Sequence, residues 1–351
     1  MQVLAGDIGG TKTLLAICDV SPLAGRGGAP TVEVLASNRY DSHGYPGLGV
    51  ICRLFASEIG RPMPRFAGFG VAGPVSNGRC HTTNLPWILD ERELAPAIGV
   101  ESVYLANDFQ TLALGIAAVK PTHLAALNPG AADASGPWAV LGAGTGLGEA
   151  ISTVGSAGQR EIFASEGGHA SFAPRNEFEM GILRFLLQRH DHVSWERVLC
   201  GDGLVNLVEA LAHLKKEKPP AEVEEAIAHD RRNAPPLITA KAAEGDPLCR
   251  AAVQQFCELY GAEAGNLALK ALATGGVYVA GGIAPRILDF MTDGRFREAF
   301  CAKGRMRPLL EKIPVRIVLD NKAGLMGAAT LAARAAQLSP REKKATKANE
   351  P

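Results

Sequence analysis

The stretch GDIGGTKT, residues 6–13, decides how the rest of the chain is read. It comes within one residue of a Walker A loop, G-x-x-x-x-G-K-[ST], with Thr11 where the second glycine belongs. A P-loop leads into a helix whose first amides help to hold phosphate. Here TLLAICDV follows at residues 13–20, a short apolar run with β-branched residues that reads as a strand. The turn is therefore expected inside a hairpin, in an α/β fold of another kind. A second candidate, GFGVAG at residues 68–73, matches G-x-G-x-x-G, but Pro74 follows it instead of a helix, so the dinucleotide fingerprint lacks its context.

Outward from the first turn, QVLAGDI, TLLAICDV and TVEVLASNRY read as a three-strand meander. Leu48, Ile51, Leu54, Phe55 and Ile59 form a helical stripe. RFAGFGVAG is a buried strand, DERELAPAIG a short helix, SVYLAND a strand and FQTLALGIAAV a helix. A similar order then recurs. WAVLGAGTGLGEAISTV repeats the strand, glycine turn and strand of the opening. GGVYVAGGIAP echoes FAGFGVAGPV, and VRIVLDNKAGLMGAATLAA echoes VYLANDFQTLALGIAA. Three echoes in one order point to an internal duplication. A mostly helical insertion, residues 176–273, interrupts the second copy. Two such α/β domains facing each other would leave a cleft for a ligand. The expected division is residues 1–118 with 322–338 in a small domain, 119–321 in a large one, and a polar, disordered tail at 339–351.

Lys+Arg and Asp+Glu number 36 each, so charge gives no reason to expect a nucleic acid or an anionic membrane as partner. No apolar run approaches the ~20 residues of a membrane span, and the first residues lack a signal-peptide layout. The seven cysteines are scattered with no C-x-x-C pair, which suits free thiols in a reducing cytoplasm.

GDIGGT and GAGTGLG, each between two strands, form hairpins in which small residues leave backbone amides open to an anion, with Thr11 and Thr145 adding hydroxyls. Either could be a plain tight turn; as a pair in a duplicated fold they read as a clamp on a polyphosphate. On residues alone, Asp108 reads equally as a helix N-cap, Asp7 as a turn cap, His169 as a structural histidine and Glu196 as a solvated helix charge. Gly281 and Gly282 likewise read as a strand-end turn.

GDIGGTKT, GVAGPV, NLPW, LANDF, GAGTGLG, EGGHASFAP, HVSWERVLCGDGLVN and VAGGIAP, in order from about residue 3 to residue 335, resemble the bacterial ATP-dependent glucokinases, in the branch without the zinc motif of repressor-type kinases. The resemblance implies the actin/hexokinase/Hsp70-like fold, two ribonuclease-H-like domains closing over sugar and ATP. It implies ATP-dependent phosphorylation of D-glucose at the 6-hydroxyl, the entry step of glycolysis. Asp108 is then the catalytic base, and Asn84, Asn107, Asp108, Glu166, His169 and Glu196 bind the sugar. Gly6, Asp7, Ile8, Gly9, Gly10, Thr11, Gly144, Thr145, Gly281 and Gly282 meet ATP. Mg²⁺ arrives with the nucleotide, with Asp7 near it through water. Lys12 has no assigned role. A homodimer in the cytoplasm is implied by family. The alternatives are a kinase of another hexose and a non-catalytic sugar sensor on the same fold. The sensors carry a DNA-binding helix-turn-helix, whereas here the first strand begins within a few residues of Met1.

Overall fold

The computed structural model describes residues 1–21, 30–83, 85–156 and 158–337. Residues 338–351, which include the tail expected at 339–351, and Asn84 lie outside the described residues. The chain divides into two compact units, one of residues 1–121, 154–163 and 320 onward, the other of residues 122–153 and 164–319.

The first unit is built on strands β1 (Gln2–Ile8), β2 (Lys12–Val20), β3 (Val32–Asp41), β4 (Phe66–Val71) and, after the short strands β5 (Val75–Ser76), β6 (Arg79–His81) and β7 (Ile88–Asp90), β8 (Ser102–Asn107). Its main sheet has the order β3-β2-β1-β4-β8. β1 runs antiparallel to β2 and parallel to β4, and β4 is parallel to β8. The expected meander is there. The small sheet β5-β6-β7 was not foreseen, because two- and three-residue strands carry too little alternation to register.

Side chains of β1 alternate between two cores, as a strand covered on both faces requires. Leu4 and Ile8 enter a core of large groups with Phe55 and Phe69, beneath the helix Leu48–Ile59. Val3 and Ala5 face the other way, onto Leu325, Ala328, Ala329 and Ala332 of the helix Ala323–Gln337. That second layer is thin because its residues are small. A methyl group added at Gly68 would lie 2.2 Å from the Ala328 carbonyl oxygen, and one at Gly70 would lie 2.2 Å from Thr111 Oγ1. The glycines of GFGVAG therefore serve close approach of helices to strand, which is why they mimic a nucleotide fingerprint without its context.

The same device joins the helices Asp108–Gly115 and Ala323–Gln337: a Cβ at Gly115 would stand 1.8 Å from the Ala323 oxygen, and one at Gly327 1.6 Å from the Thr111 oxygen. The clashing atoms are backbone, so no rotamer change relieves them. Gly327→Ala is expected to destabilise the protein by at least about 1–3 kcal/mol, the usual cost of overpacking. A thermal melt checks this, and a melting temperature within a degree of wild type would contradict the packing described.

A second sheet consists of β9 (Leu124–Asn128), β10 (Trp138–Ala143), β11 (Leu147–Val154), β12 (Arg160–Ser165), β13 (Gly276–Ala280) and β14 (Val315–Val318), in the order β12-β11-β10-β13-β14-β9. β10 is antiparallel to β11 and parallel to β13, which is parallel to β14, the same senses in the same order as the first sheet. The duplication seen as three weak echoes is thus a repeated topology, with β9 added antiparallel at one edge. Helices Glu177–Leu186, Gly201–Lys215, Ala221–Asp230, Ala234–Glu244 and Pro247–Ala271 fill the insertion, and the last is buried nearly all round. All seven cysteines are buried free thiols. Among the described residues, no helix is long and apolar enough to cross a membrane.

Candidate active site

In the first unit, β1, β4 and β8 are parallel and end level, with Ile8 opposite Val71 and Val71 opposite Asn107. The carboxyl ends of parallel strands are where such sheets hold ligands, because the chain leaves them in loops. Asp7 and Asp108 both lie at this edge. Burial, and then the charge of Asp108, push the Asp7 carboxyl up to about 6. Burial also raises Asp108, against the Phe109 amide, which donates to its Oδ1 at 2.8 Å, and the Asn107 side chain. Two partly buried carboxyls, one raised by the other's charge and both by burial, have the electrostatics of a site that takes up a proton or positive charge.

The helix that starts here is capped by Asn107, not by Asp108. Asn107 Oδ1 accepts from Phe109 N at 2.9 Å, and Gln110 Oε1 accepts in return from Asn107 N at 3.2 Å, a capping box. Asn107 Nδ2 also donates to the Gly73 oxygen at 3.1 Å. Capping was the competing account of Asp108; the cap is the neighbouring asparagine, and Asp108 shares with it only the Phe109 amide.

The first glycine turn is tied from below. Gly9 N donates to the Lys12 oxygen at 3.0 Å, Ser42 N to the Thr11 oxygen at 3.0 Å, and Ser42 Oγ to the Gly9 oxygen at 3.0 Å. A Cβ at Gly6 would lie 2.6 Å from Phe69, so the strand needs glycine just before Asp7. Among the described residues, the amides of Gly10 and Thr11 make no hydrogen bond within the chain. The second turn is similar: Gly144 N donates to the Gly146 oxygen at 2.8 Å, while the amides of Thr145 and Gly146 are likewise uncommitted. Open amides on glycine hairpins make anion-binding concavities. Lys12 is exposed beside the first turn.

In the second unit the second turn and the EGGH loop form one bonded body. Glu196 lies in a turn, not on a helix as a solvated charge. Its Oε2 accepts from Leu147 N at 2.9 Å, its own N donates to the Gly168 oxygen at 2.9 Å, and a Cβ at Gly146 would come 2.5 Å from its Oε2. His169 N donates to the Glu166 oxygen at 2.9 Å, and His169 Nε2 lies 3.8 Å from Glu166 Oε2. The two side chains are 61% and 90% exposed, presented to solvent rather than packed. Gly281 follows β13 with φ of +83°, and a Cβ there would lie 2.4 Å from the Ala143 oxygen, so only glycine fits. Buried Tyr260, which sequence reasoning missed, accepts from Ala143 N at 2.9 Å and donates to the Ala280 oxygen at 3.3 Å, clamping both strand ends. Nothing in the local sequence of a long helix marks that role.

The structure thus gathers Asp7, Asn107, Asp108 and the first turn in one unit, and Glu166, His169, Glu196, Gly144, Thr145, Gly281 and Gly282 in the other. The family model described as Glucokinase matches residues 4–335. A glucokinase from Nostoc punctiforme is 41% identical over 344 residues, covering 95% of this chain and 99% of that protein. The crystal structure of a glucokinase from an Antarctic psychrotroph is 28% identical with a TM-score of 0.81, over 95% of this chain and 99% of that one. A ROK family glucokinase from Streptomyces griseus, solved with glucose and AMPPNP, shares the fold at 20% identity and a TM-score of 0.61, over 95% of this chain and 100% of that one. With the repeated sheets, these likenesses give the chain the actin-like ATPase fold. Both glycine turns, the strand-end carboxyls and the EGGH loop all fall inside the matched span, and the chain belongs to the glucokinase family.

Proposed function

We propose that the protein transfers the terminal phosphoryl group of ATP to the 6-hydroxyl of D-glucose, giving ADP and glucose 6-phosphate. Glu166, His169, Glu196, Asn107 and Asn84 hold the sugar hydroxyls. Asp108 takes the proton of the 6-hydroxyl as its oxygen attacks the phosphorus. The observation that carries this reading is the state of Asp108: the helix cap belongs to Asn107, and burial raises the Asp108 carboxyl, the direction that makes it a stronger base.

The uncommitted amides of Gly10, Thr11, Thr145 and Gly146 receive phosphate oxygens, and Gly281 and Gly282 let the chain pass close to the adenosine. The donor set at Asp7 fits Mg²⁺, since a second carboxyl lies beside it and its charge penalises ionised Asp7. Asp7 would hold the ion through water, and the ion would neutralise charge on the phosphates. A homodimer and a cytoplasmic setting belong to the same reading.

The test is ADP release, coupled to an indicator reaction, with glucose, mannose, fructose and N-acetylglucosamine. The expected result is the highest kcat/KM for glucose. Preference for another of these sugars would make the protein a kinase of that hexose, and sugar binding without turnover would make it a sensor.

A further inference from the structure

Glu149 lies in β11, directly after the second glycine turn, and is 2% exposed. Among the described residues, no donor reaches either of its carboxyl oxygens. Burying an ionised carboxylate without partners is so costly that the group takes a proton instead. Its neighbour is Glu263, fully buried on the helix Pro247–Ala271, and the two carboxyls act on each other directly. Glu263 has its own support: Asn266 Nδ2 donates to its Oε2 at 2.7 Å, and Lys270 Nζ stands 3.5 Å from its Oε1. Lys303 Nζ closes the cluster on Asn266 Oδ1 at 2.6 Å, and Tyr260 faces it from the same helix as Glu263. Burial raises the Glu263 carboxyl as well, but Asn266 and Lys270 oppose that rise, whereas Glu149 has no hydrogen-bond donor, so the shared proton sits on Glu149. Burial and the Glu263 charge push the Glu149 carboxyl up to about 7.

The other side of Glu149 meets the EGGH loop. A Cβ at Gly167 would lie 2.0 Å from Glu149 Oε2 and 3.1 Å from Ser165 Oγ, the atom that accepts from Gly167 N at 3.0 Å. The next residue is held as closely, since a Cβ at Gly168 would lie 2.2 Å from the Leu147 oxygen. Glu166 and His169 project from either end of this short stretch.

We propose that Glu149 is a positioning residue for the sugar-binding loop: its protonated carboxyl, hydrogen-bonded to Glu263, is the floor on which Gly167 rests, and it sets where Glu166 and His169 point. The sugar-binding part rests on the function proposed above. Loss of the proton puts two like charges together in the cluster and pushes the loop off its floor. Glucose affinity therefore falls as pH rises through about 7. Stability follows the same sign. A carboxyl raised from 4.5 to about 7 on folding contributes stability below pH 4.5 that is lost by the time pH passes about 7.

The experiment compares wild type, Glu149→Gln and Glu149→Ala by hydrogen–deuterium exchange of residues 165–170 and by glucose and ATP KM from pH 6 to 8.5. Glutamine keeps the shape and a donor toward Glu263, and it does not ionise. The Gln variant should keep the wild-type exchange rate and glucose KM at pH 6, with a flat KM–pH profile where wild type rises several-fold. Its melting temperature should gain on wild type as pH rises. The Ala variant should exchange the loop amides about tenfold faster and raise the glucose KM about fivefold or more, with the ATP KM within twofold. Unchanged exchange in the Ala variant, or a Gln variant as pH-dependent as wild type, overturns the positioning role. If the Ala variant does not fold, the Gln profile alone decides. Faster exchange with an unchanged glucose KM would confine Glu149 to loop order and move the failure to the sugar-binding reading.

Discussion

Asp108→Asn is expected to lower kcat by about 10²–10⁴-fold, the worth of a positioned acid–base group, while glucose affinity changes by no more than a few-fold. The substitution is close to a pure removal of basicity. The helix Asp108–Gly115 keeps its cap, which belongs to Asn107, and the amide oxygen of the new side chain still accepts from Phe109 N. It also removes the charge that raises Asp7, so folding loses nothing and gains some relief of like-charge repulsion. The pairing of a collapsed kcat with an undiminished melting temperature is what distinguishes a base from a structural residue. Steady-state kinetics and a melt on the same preparation provide both numbers. Turnover above a tenth of wild type would remove Asp108 from the chemistry.

The second large effect is on sugar affinity. Glu166→Gln and His169→Ala should each raise the glucose KM about tenfold or more, since a hydrogen bond to a charged group is worth roughly 1.5–3 kcal/mol and each 1.4 kcal/mol is about tenfold. Both side chains stand in solvent, 90% and 61% exposed, with only their own 3.8 Å contact between them. Their loss therefore leaves the fold intact, and a KM change reads binding rather than damage. Glu196 is a poorer probe, because its Oε2 also holds Leu147 N at the end of the second turn. ATP hydrolysis without sugar should stay negligible in both variants, as neither residue is placed on the nucleotide. The sugar panel separates the outcomes: kcat/KM should fall for glucose, with ATP KM unmoved. Normal glucose binding by both variants would make these residues structural and put the pocket elsewhere.

Much of this architecture was legible in one dimension. The turn at residues 6–13 was followed by a strand and not a helix, which excluded a P-loop and made the hairpin at Gly9–Lys12 readable. The helical stripe from Leu48 to Ile59 and the order of the repeated segments were equally plain. Such signals live within a few residues of each other, in periodicity and turn chemistry, so no knowledge of distant partners is needed. The short strands β5, β6 and β7, and the edge strands β9 and β12, escaped because they are brief or irregular and owe their pairing to the rest of the sheet.

Folding in three dimensions settled the questions that concern shared space. Which of two adjacent residues, Asn107 or Asp108, caps the helix depends on the Gly73 carbonyl brought beside it by β4. Whether Glu196 is a solvated charge or a brace depends on Leu147, which reaches it only when the second turn and the EGGH loop meet. The glycines at 68, 70, 115 and 327 look like turn or nucleotide signals in the chain and prove to be points where backbones nearly touch. Nothing local marks Glu149 and Glu263 as partners; each is an ordinary acidic residue in its own segment until the sheet and the long helix bury them together. Residue type and local pattern set what each segment can form, whereas the protonation, pairing and close contacts of its side chains follow from which segments exclude water together.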